Sequence, residues 1–266
     1  MTTEGLHITE RGDGPVVVLL HGLMATGEMF RWLSEPLTSR FRLVIPDLPG
    51  HGGSGTVPGP YTVEAMSARV GAALEARGVH DAHVMGYSHG GTVAQHLARD
   101  AGHLVRSLAL VATYAYNTTT RREQVEGWLA PHMVRLLGMR RFARIVARPG
   151  TGGGPPLAPD QVAWLQDMLA TNATTQMARA AAELSRFDSR PWLHQLHVPA
   201  LVVSGGRDLA VPAHHATMLA QAIDAAQTAT IAEAGHTMIW THRDALARIL
   251  MQWWDGVDRH QTSPPR

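Results

Sequence analysis

The stretch His83-Val84-Met85-Gly86-Tyr87-Ser88-His89-Gly90-Gly91-Thr92-Val93-Ala94 constrains the fold of this chain more than any other. It reads as a short buried strand, an abrupt turn carrying one serine, and the start of a helix. Gly86-Tyr87-Ser88-His89-Gly90 matches G-x-S-x-G, the nucleophile elbow, in which the serine occupies a strained strand-to-helix turn with its hydroxyl exposed. Strand and helix backbones pass so close at such a turn that side chains at Gly86 and Gly90 would clash. Serine and glycine are common in loops, so the five letters alone are a weak signal. The strand–turn–helix context gives them weight.

The segments around this stretch alternate between strand and helix patterns. Leu6–Thr9 reads as an edge strand before a turn through Gly12-Asp13-Gly14-Pro15. Val16–Leu20 and Phe41–Ile45 are continuous apolar, β-branched runs, the signature of central strands buried on both faces. A helix is expected from Thr26 or Gly27 to Leu37, and another from an N-cap at Thr62 to Arg77, stopped by Gly78. Val105–Val111 is a further strand. The pattern predicts a mostly parallel central sheet with helices on both faces, an α/β architecture.

From Tyr114 to Trp192 no strand pattern occurs, and apolar residues recur at helical spacing. Trp128, Met133, Leu136 and Leu137 form one set; Trp164, Leu165, Met168 and Leu169 form another. The run Pro149-Gly150-Thr151-Gly152-Gly153-Gly154-Pro155-Pro156 divides the block. Alternation resumes with a strand at Leu201–Val203, a helix at Ala213–Ile223, a strand at Thr228–Ile231 and a helix from Asp244 to Trp254. The expected organisation is therefore a core of residues 1–113 and 193–259, an inserted helical cap of residues 114–192, and a disordered tail of residues 260–266.

Composition removes several classes of function. All 23 Lys+Arg positions are arginine and cysteine is absent. A Schiff-base lysine, a thiol nucleophile, a thiolate metal site and a disulfide are thereby excluded. Net charge is +1 with the charges scattered, which gives no footprint for nucleic acid. No apolar run long enough to span a membrane and no secretory signal are seen, and a cysteine-free chain fits the cytoplasm. The glycine-rich loop Pro46–Gly55 lacks the order and the lysine of a phosphate-binding loop and reads as structural. The 16 histidines include no zinc-binding spacing, so neither metal nor cofactor is expected.

A serine hydroxyl needs a base within hydrogen-bond reach, held in turn by a third group. Asp208 follows the strand at Leu201–Val203, and His236 follows the last strand in Glu233-Ala234-Gly235-His236. Both fall at carboxyl ends of parallel strands, the sheet edge that also carries Ser88 and at which α/β ligand sites form. The chain order Ser, Asp, His is the one that accompanies this elbow.

On these residues the chain resembles the α/β-hydrolase superfamily over nearly its whole length. His21-Gly22 resembles its oxyanion-loop motif, Pro46-Asp47-Leu48-Pro49-Gly50-His51-Gly52 its D-x-x-G-x-G loop, and Gly205–Pro212 and Gly235-His236 the loops of its acid and base. The resemblance implies an α/β-hydrolase fold with an inserted cap and a Ser88, His236, Asp208 triad. It also implies an oxyanion hole from the backbone N–H groups of His89 and Leu23, with Met24 the alternative to Leu23. Asp47 is the rival acid, since some members carry theirs earlier in the chain. The expected reaction is hydrolysis of a small or medium, rather apolar carboxylic ester, lactone or thioester. Carbon–carbon cleavage of a diketone and perhydrolysis use the same triad, and a non-hydrolytic binding protein is the reading from another class.

Pocket candidates are Met24, Tyr87, Trp128, Trp164 and Trp240; at helical spacing the cap residues among them are also read as core contacts. His21 and His51 read as structural, His214 and His215 as exposed at a helix start, and Asp188 as half of a local ion pair. No periodic seam predicts an assembly, which leaves a monomer or small homo-oligomer.

Overall fold

The computed structural model describes residues 5–116, 118–224 and 226–262. Its strands are Ile8–Arg11 (β1), Val16–Leu20 (β2), Arg42–Pro46 (β3), Ala82–Tyr87 (β4), Val105–Val111 (β5), Ala200–Gly205 (β6) and Gln227–Ile231 (β7). They form one seven-stranded sheet in the order β1-β3-β2-β4-β5-β6-β7. Only β1 runs antiparallel to its neighbour, pairing Ile8 with Pro46 and Arg11 with Leu43. This edge strand lies slightly later than the apolar Leu6–Thr9 pattern suggests.

The β-branched runs form central strands because both of their faces find apolar cover. Val17, Leu19, Met85, Ala109, Val111, Leu201 and Val203 point into one core layer. Their alternates Val18, Leu20, Val84, Leu108, Leu110 and Val202 point into the other, as the two-residue period of a strand requires.

Helices Arg31–Leu37 (α1), Met238–Thr241 (α8) and Arg243–Thr262 (α9) cover the first face. Val63–Glu75 (α2), His89–Asp100 (α3) and Ala213–Ala222 (α7) cover the second. Thr62 caps α2 by accepting from the Ala65 N–H at 3.2 Å. The single helix expected from Thr26 to Leu37 divides: Thr26 caps a 3₁₀ turn at Gly27–Phe30, and α1 follows. The last helix runs past Trp254 to Thr262, so residues 260–262 are helical where a tail was expected; residues 263–266 lie outside the described residues.

Between β5 and β6 lie Arg121–Val146 (α4), Pro159–Ala170 (α5) and Thr174–Leu184 (α6). Thr120 and Glu123 form a capping box at the start of α4. Gly138 interrupts that helix with φ 69° and ψ 160°, so its two halves do not share one face. A β-bridge between Tyr116 and Asp188 ties the two ends of the block together, and Asp188 pairs locally with Arg190 at 2.7 Å.

The close passage at the elbow has a measurable consequence. A Cβ on Gly86 would stand 2.5 Å from Gly91 Cα, whereas Gly102 faces open space. Gly86→Ala is expected to destabilise by roughly 1–3 kcal/mol or more, and Gly102→Ala to stay within about 0.5 kcal/mol. Thermal and urea unfolding of the two variants check this.

Candidate active site

Ser88 sits between the last residue of β4 and the first of α3 with φ 53° and ψ −120°, in a region that side chains rarely occupy. Its own backbone is pinned there. The Ser88 N–H donates to Val111 O at 2.9 Å, and its carbonyl accepts from Thr113 Oγ1 at 2.6 Å and from the Gly91 N–H at 2.9 Å. A Cβ on Gly90 would run into the Leu20 carbonyl, so glycine lets α3 start directly over the end of β2. The N-terminus of α3 therefore points at Ser88, and its first N–H groups have no intrahelical partner.

Asp208 lies in the loop after β6 with its side chain fully buried. Oδ1 accepts from the backbone N–H groups of Ala210 and Val211 at 2.9 and 2.8 Å, and Oδ2 accepts from His236 Nδ1 at 2.9 Å. Since the carboxylate only accepts, the proton of the neutral ring sits on Nδ1 and the lone pair on Nε2. Burial works against a charged His236, but the charge and hydrogen bond of Asp208 outweigh it and raise the ring's pKa above that of an ordinary histidine. His236 is also fixed through its backbone: its N–H donates to Gly152 O at 2.7 Å, and its carbonyl accepts from the Tyr87 hydroxyl.

Ser88 and His236 line one cavity of about 260 Å³, together with Gly22, Leu23, Tyr87 and Trp240 from the sheet side. Val146, Leu165, Met168 and Leu169 close it from the helical block, so its walls are mainly apolar. Ser88 Oγ and His236 Nε2 are not hydrogen-bonded to each other among the described residues; such contacts commonly tighten only in the substrate complex.

The oxyanion-loop candidates sit in a tight turn in which the Ala25 N–H donates to Gly22 O at 3.2 Å. Met24 takes φ 63° there. Leu23 reaches the cavity, and neither its N–H nor that of His89 donates to another group among the described residues. His21 braces the turn: Nδ1 donates to Gly22 O at 2.9 Å and Nε2 accepts from the Leu48 N–H at 2.8 Å. Asp47, the rival acid, is committed elsewhere. Its carboxylate accepts from the Gly27 and Gly53 N–H groups at 2.6 and 2.8 Å and pairs with His7 at 3.1 Å.

Several expected pocket residues lie elsewhere. Trp128, on the first half of α4, is 66% exposed and does not line the cavity. Trp164 stands behind the wall, edge-on to Trp240 and to Trp32 at ring separations of 5.8 and 4.6 Å. Met24 is buried beneath the turn and does not line the cavity. Among the residues expected at the surface, His215 is buried and bonds Glu123 of α4 at 3.0 Å. The sequence reading missed Gly152, whose carbonyl holds His236, and Gly153 and Gly154, which pack against Arg207 and Gly235. The run of three glycines was the available signal, since a loop that only connects two helices does not need them.

A family model described as alpha/beta hydrolase fold matches residues 15–243. The chain is 33% identical over 258 residues to polyketide synthase ThaQ of Burkholderia thailandensis, covering 95% of this chain but only 12% of that protein. It is 29% identical to a pimeloyl-[acyl-carrier protein] methyl ester esterase of Neisseria meningitidis serogroup C, covering 91% of this chain and 94% of that one. The crystal structure of an enol-lactonase from Burkholderia xenovorans LB400 superposes with a TM-score of 0.84 at 26% identity, over 94% of this chain and 96% of that one.

Three buried histidines behind the turn carry a prediction. Burial lowers His21 against the pull of Asp47; burial, with repulsion from neighbouring rings, lowers His51 and takes His89 to about 3. Below a pH of about 6.5 the unfolded chain binds protons at these positions that the folded protein refuses. Stability is therefore expected to fall as pH drops through that window, and His51→Gln to flatten the dependence. Urea titrations from pH 7 to pH 4 check both.

Proposed function

Because the chain belongs to the α/β-hydrolase fold family and is a hydrolase of that fold, we propose that it cleaves a small or medium apolar carboxylic ester, lactone or thioester through an acyl-enzyme on Ser88. The observation that carries the reading is the His236 ring, oriented by Asp208 and facing the same apolar cavity as Ser88. Residues 114–192 act as the cap that shapes this cavity.

Ser88 Oγ attacks the acyl carbon while His236 Nε2 takes its proton, and Asp208 stabilises the imidazolium that forms. The negative charge on the carbonyl oxygen is met by the N–H groups of Leu23 and His89, the latter aided by the dipole of α3. Collapse of the tetrahedral species returns the proton from Nε2 to the departing alcohol and leaves the acyl group on Ser88. Water then attacks, gives its proton to Nε2, and the acid leaves as the serine is restored. A burial-shielded Asp208 suits this role, since it holds the ring in the one tautomer whose Nε2 can accept.

The mainly apolar wall formed by Leu165, Met168, Leu169 and Trp240 supports an uncharged acyl group. The activities named for the Neisseria esterase and the Burkholderia lactonase support ester-type bonds.

Hydrolysis of p-nitrophenyl esters from acetate to decanoate tests the reading. Ser88→Ala is expected to lose activity by several orders of magnitude, about 10³ or more, with the fold retained; unchanged turnover would refute the mechanism. Met168→Ala is expected to shift the optimum towards longer acyl chains. The base must be neutral, so kcat/KM is expected to rise with pH through a midpoint above that of an ordinary histidine. In Asp208→Asn the midpoint should fall along with the rate, because the group that raises the ring's pKa has gone.

A further inference from the structure

Between α5 and α6 the cap carries one buried polar side chain that contacts neither the cavity nor the surface. Asn172 is 6% exposed. Nδ2 donates to Met24 O at 2.6 Å and, more weakly, to Leu169 O at 3.4 Å, and Oδ1 accepts from the Gly52 N–H at 2.9 Å. Burying an amide is costly unless it is bonded. Here the two shorter bonds go to backbone groups of the core, far from it in sequence.

What those backbone groups do gives the contact its meaning. Met24 is the third residue of the turn that presents the Leu23 N–H to the cavity, and it holds φ 63°. That conformation suits glycine; for methionine it costs roughly 1–2 kcal/mol. The Met24 carbonyl shares its peptide with the Ala25 N–H that closes the turn onto Gly22 O at 3.2 Å. Holding that carbonyl therefore holds the turn that presents the Leu23 N–H, on which the oxyanion would rest.

Other groups brace the ends of the turn. His21 holds Gly22 O, Met29 Sδ accepts from the Gly22 N–H at 3.3 Å, and Asp47 holds the Gly27 N–H. Among the described residues, Asn172 is the side chain that grips the carbonyl of the left-handed residue itself. Its other end is tied to Gly52, in the loop that Asp47 organises.

We propose that Asn172 is a positioning residue for the oxyanion hole: its amide clamps the Met24 carbonyl and so keeps the Leu23–Met24 turn in the geometry that receives the developing oxyanion. The inference rests on the serine-hydrolase reading above. The cap thereby acts on the chemistry as well as on the choice of substrate. Leu169 and Met168 of the cavity wall sit within one turn of Asn172, so the segment that touches the acyl group also carries the clamp.

Asn172→Asp tests this with little change of shape. It keeps an acceptor for the Gly52 N–H and replaces the donor to Met24 O by a carboxylate oxygen. With p-nitrophenyl butyrate, kcat is expected to fall on the order of 10- to 100-fold with KM little changed, and affinity for an alkylboronic acid, a mimic of the tetrahedral species, to fall in parallel. Adding Met24→Gly, which adopts positive φ freely, is expected to restore part of the lost kcat. A merely structural role would not produce that rescue. Circular dichroism melts report the folded fraction. If Asn172→Asp melts below the assay temperature, Asn172→Ser is read in its place. A folded Asn172 variant with unaltered kcat, or a loss of kcat that only tracks the folded fraction, overturns the proposal while leaving the serine mechanism standing. Wild-type protein without Ser88-dependent turnover overturns both.

Discussion

The close crossing of backbones beneath Ser88 is the constraint on which the rest of the structure depends. β2, β4 and the start of α3 meet where Gly86 and Gly90 leave no room for a Cβ against Gly91 and the Leu20 carbonyl. That compression places a non-glycine residue at φ 53°, a conformation worth on the order of 1–3 kcal/mol of strain. It persists because three hydrogen bonds from two neighbouring segments over-determine the Ser88 backbone. The strain and the position of α3 have one cause: the same crossing that exposes the hydroxyl aims the helix N-terminus at it. A looser turn would relax the serine and also lose the alignment of the His89 N–H.

The histidines around this crossing divide into two electrostatic populations. His21, His51 and His89 are buried without a carboxylate partner of their own, and burial is the largest influence that holds each of them neutral. Among the described residues the Nε2 atoms of His51 and His89 have no hydrogen-bond partner, so a proton there would be a buried charge with no group to solvate it. His236 is half-buried, yet there Asp208 reverses the outcome. The signs of their linkage to folding are opposite. The neutral cluster weakens the fold as pH falls below the ordinary histidine range. His236 contributes stability that is present below that range and is lost as pH rises through its own raised value. One region thus supplies both a rigid, uncharged scaffold and a single ring ready to accept a proton.

The parts of the fold legible in the sequence were those where local pattern and final environment agree. β2 and β5 are continuous apolar runs because both of their faces are covered, and their observed spans match the pattern residue for residue. The helix at Gly27–Leu37 was legible only as helix, since propensity does not distinguish a 3₁₀ turn capped by Thr26 from the α-helix behind it. Within the helical block, spacing misled. The apolar positions Trp128 and Leu136 of α4 lie on the exposed side of the helix, so their spacing did not mark a core face. His215 gave no local sign of burial, as its partner Glu123 and the Tyr114 ring at 5.6 Å lie in other parts of the chain. At the candidate site, Ser88, Asp208 and His236 stood out in the sequence because each follows the end of a strand. Gly152 and Asn172 did not, because they act through backbone atoms brought close only by folding.

That last difference bears on how the molecule divides its labour. The sheet edge supplies three side chains from three loops. The helical block, among its other polar contacts with the core, is bonded to that edge at two points. Gly152 O holds the His236 N–H, and Asn172 holds the carbonyl of Met24. Both contacts are polar, directed and buried or half-buried, unlike the apolar packing that makes up most of the interface. Apolar contacts at Leu165, Met168 and Leu169 can slide, since dispersion has little angular preference. Hydrogen bonds weaken steeply with angle, so these polar contacts, with others such as Glu123–His215, hold the register of the helical block on the core while the wall adapts. A substitution in the wall then resizes the cavity, while one at Gly152 or Asn172 shifts the His236 ring or the Leu23–Met24 turn.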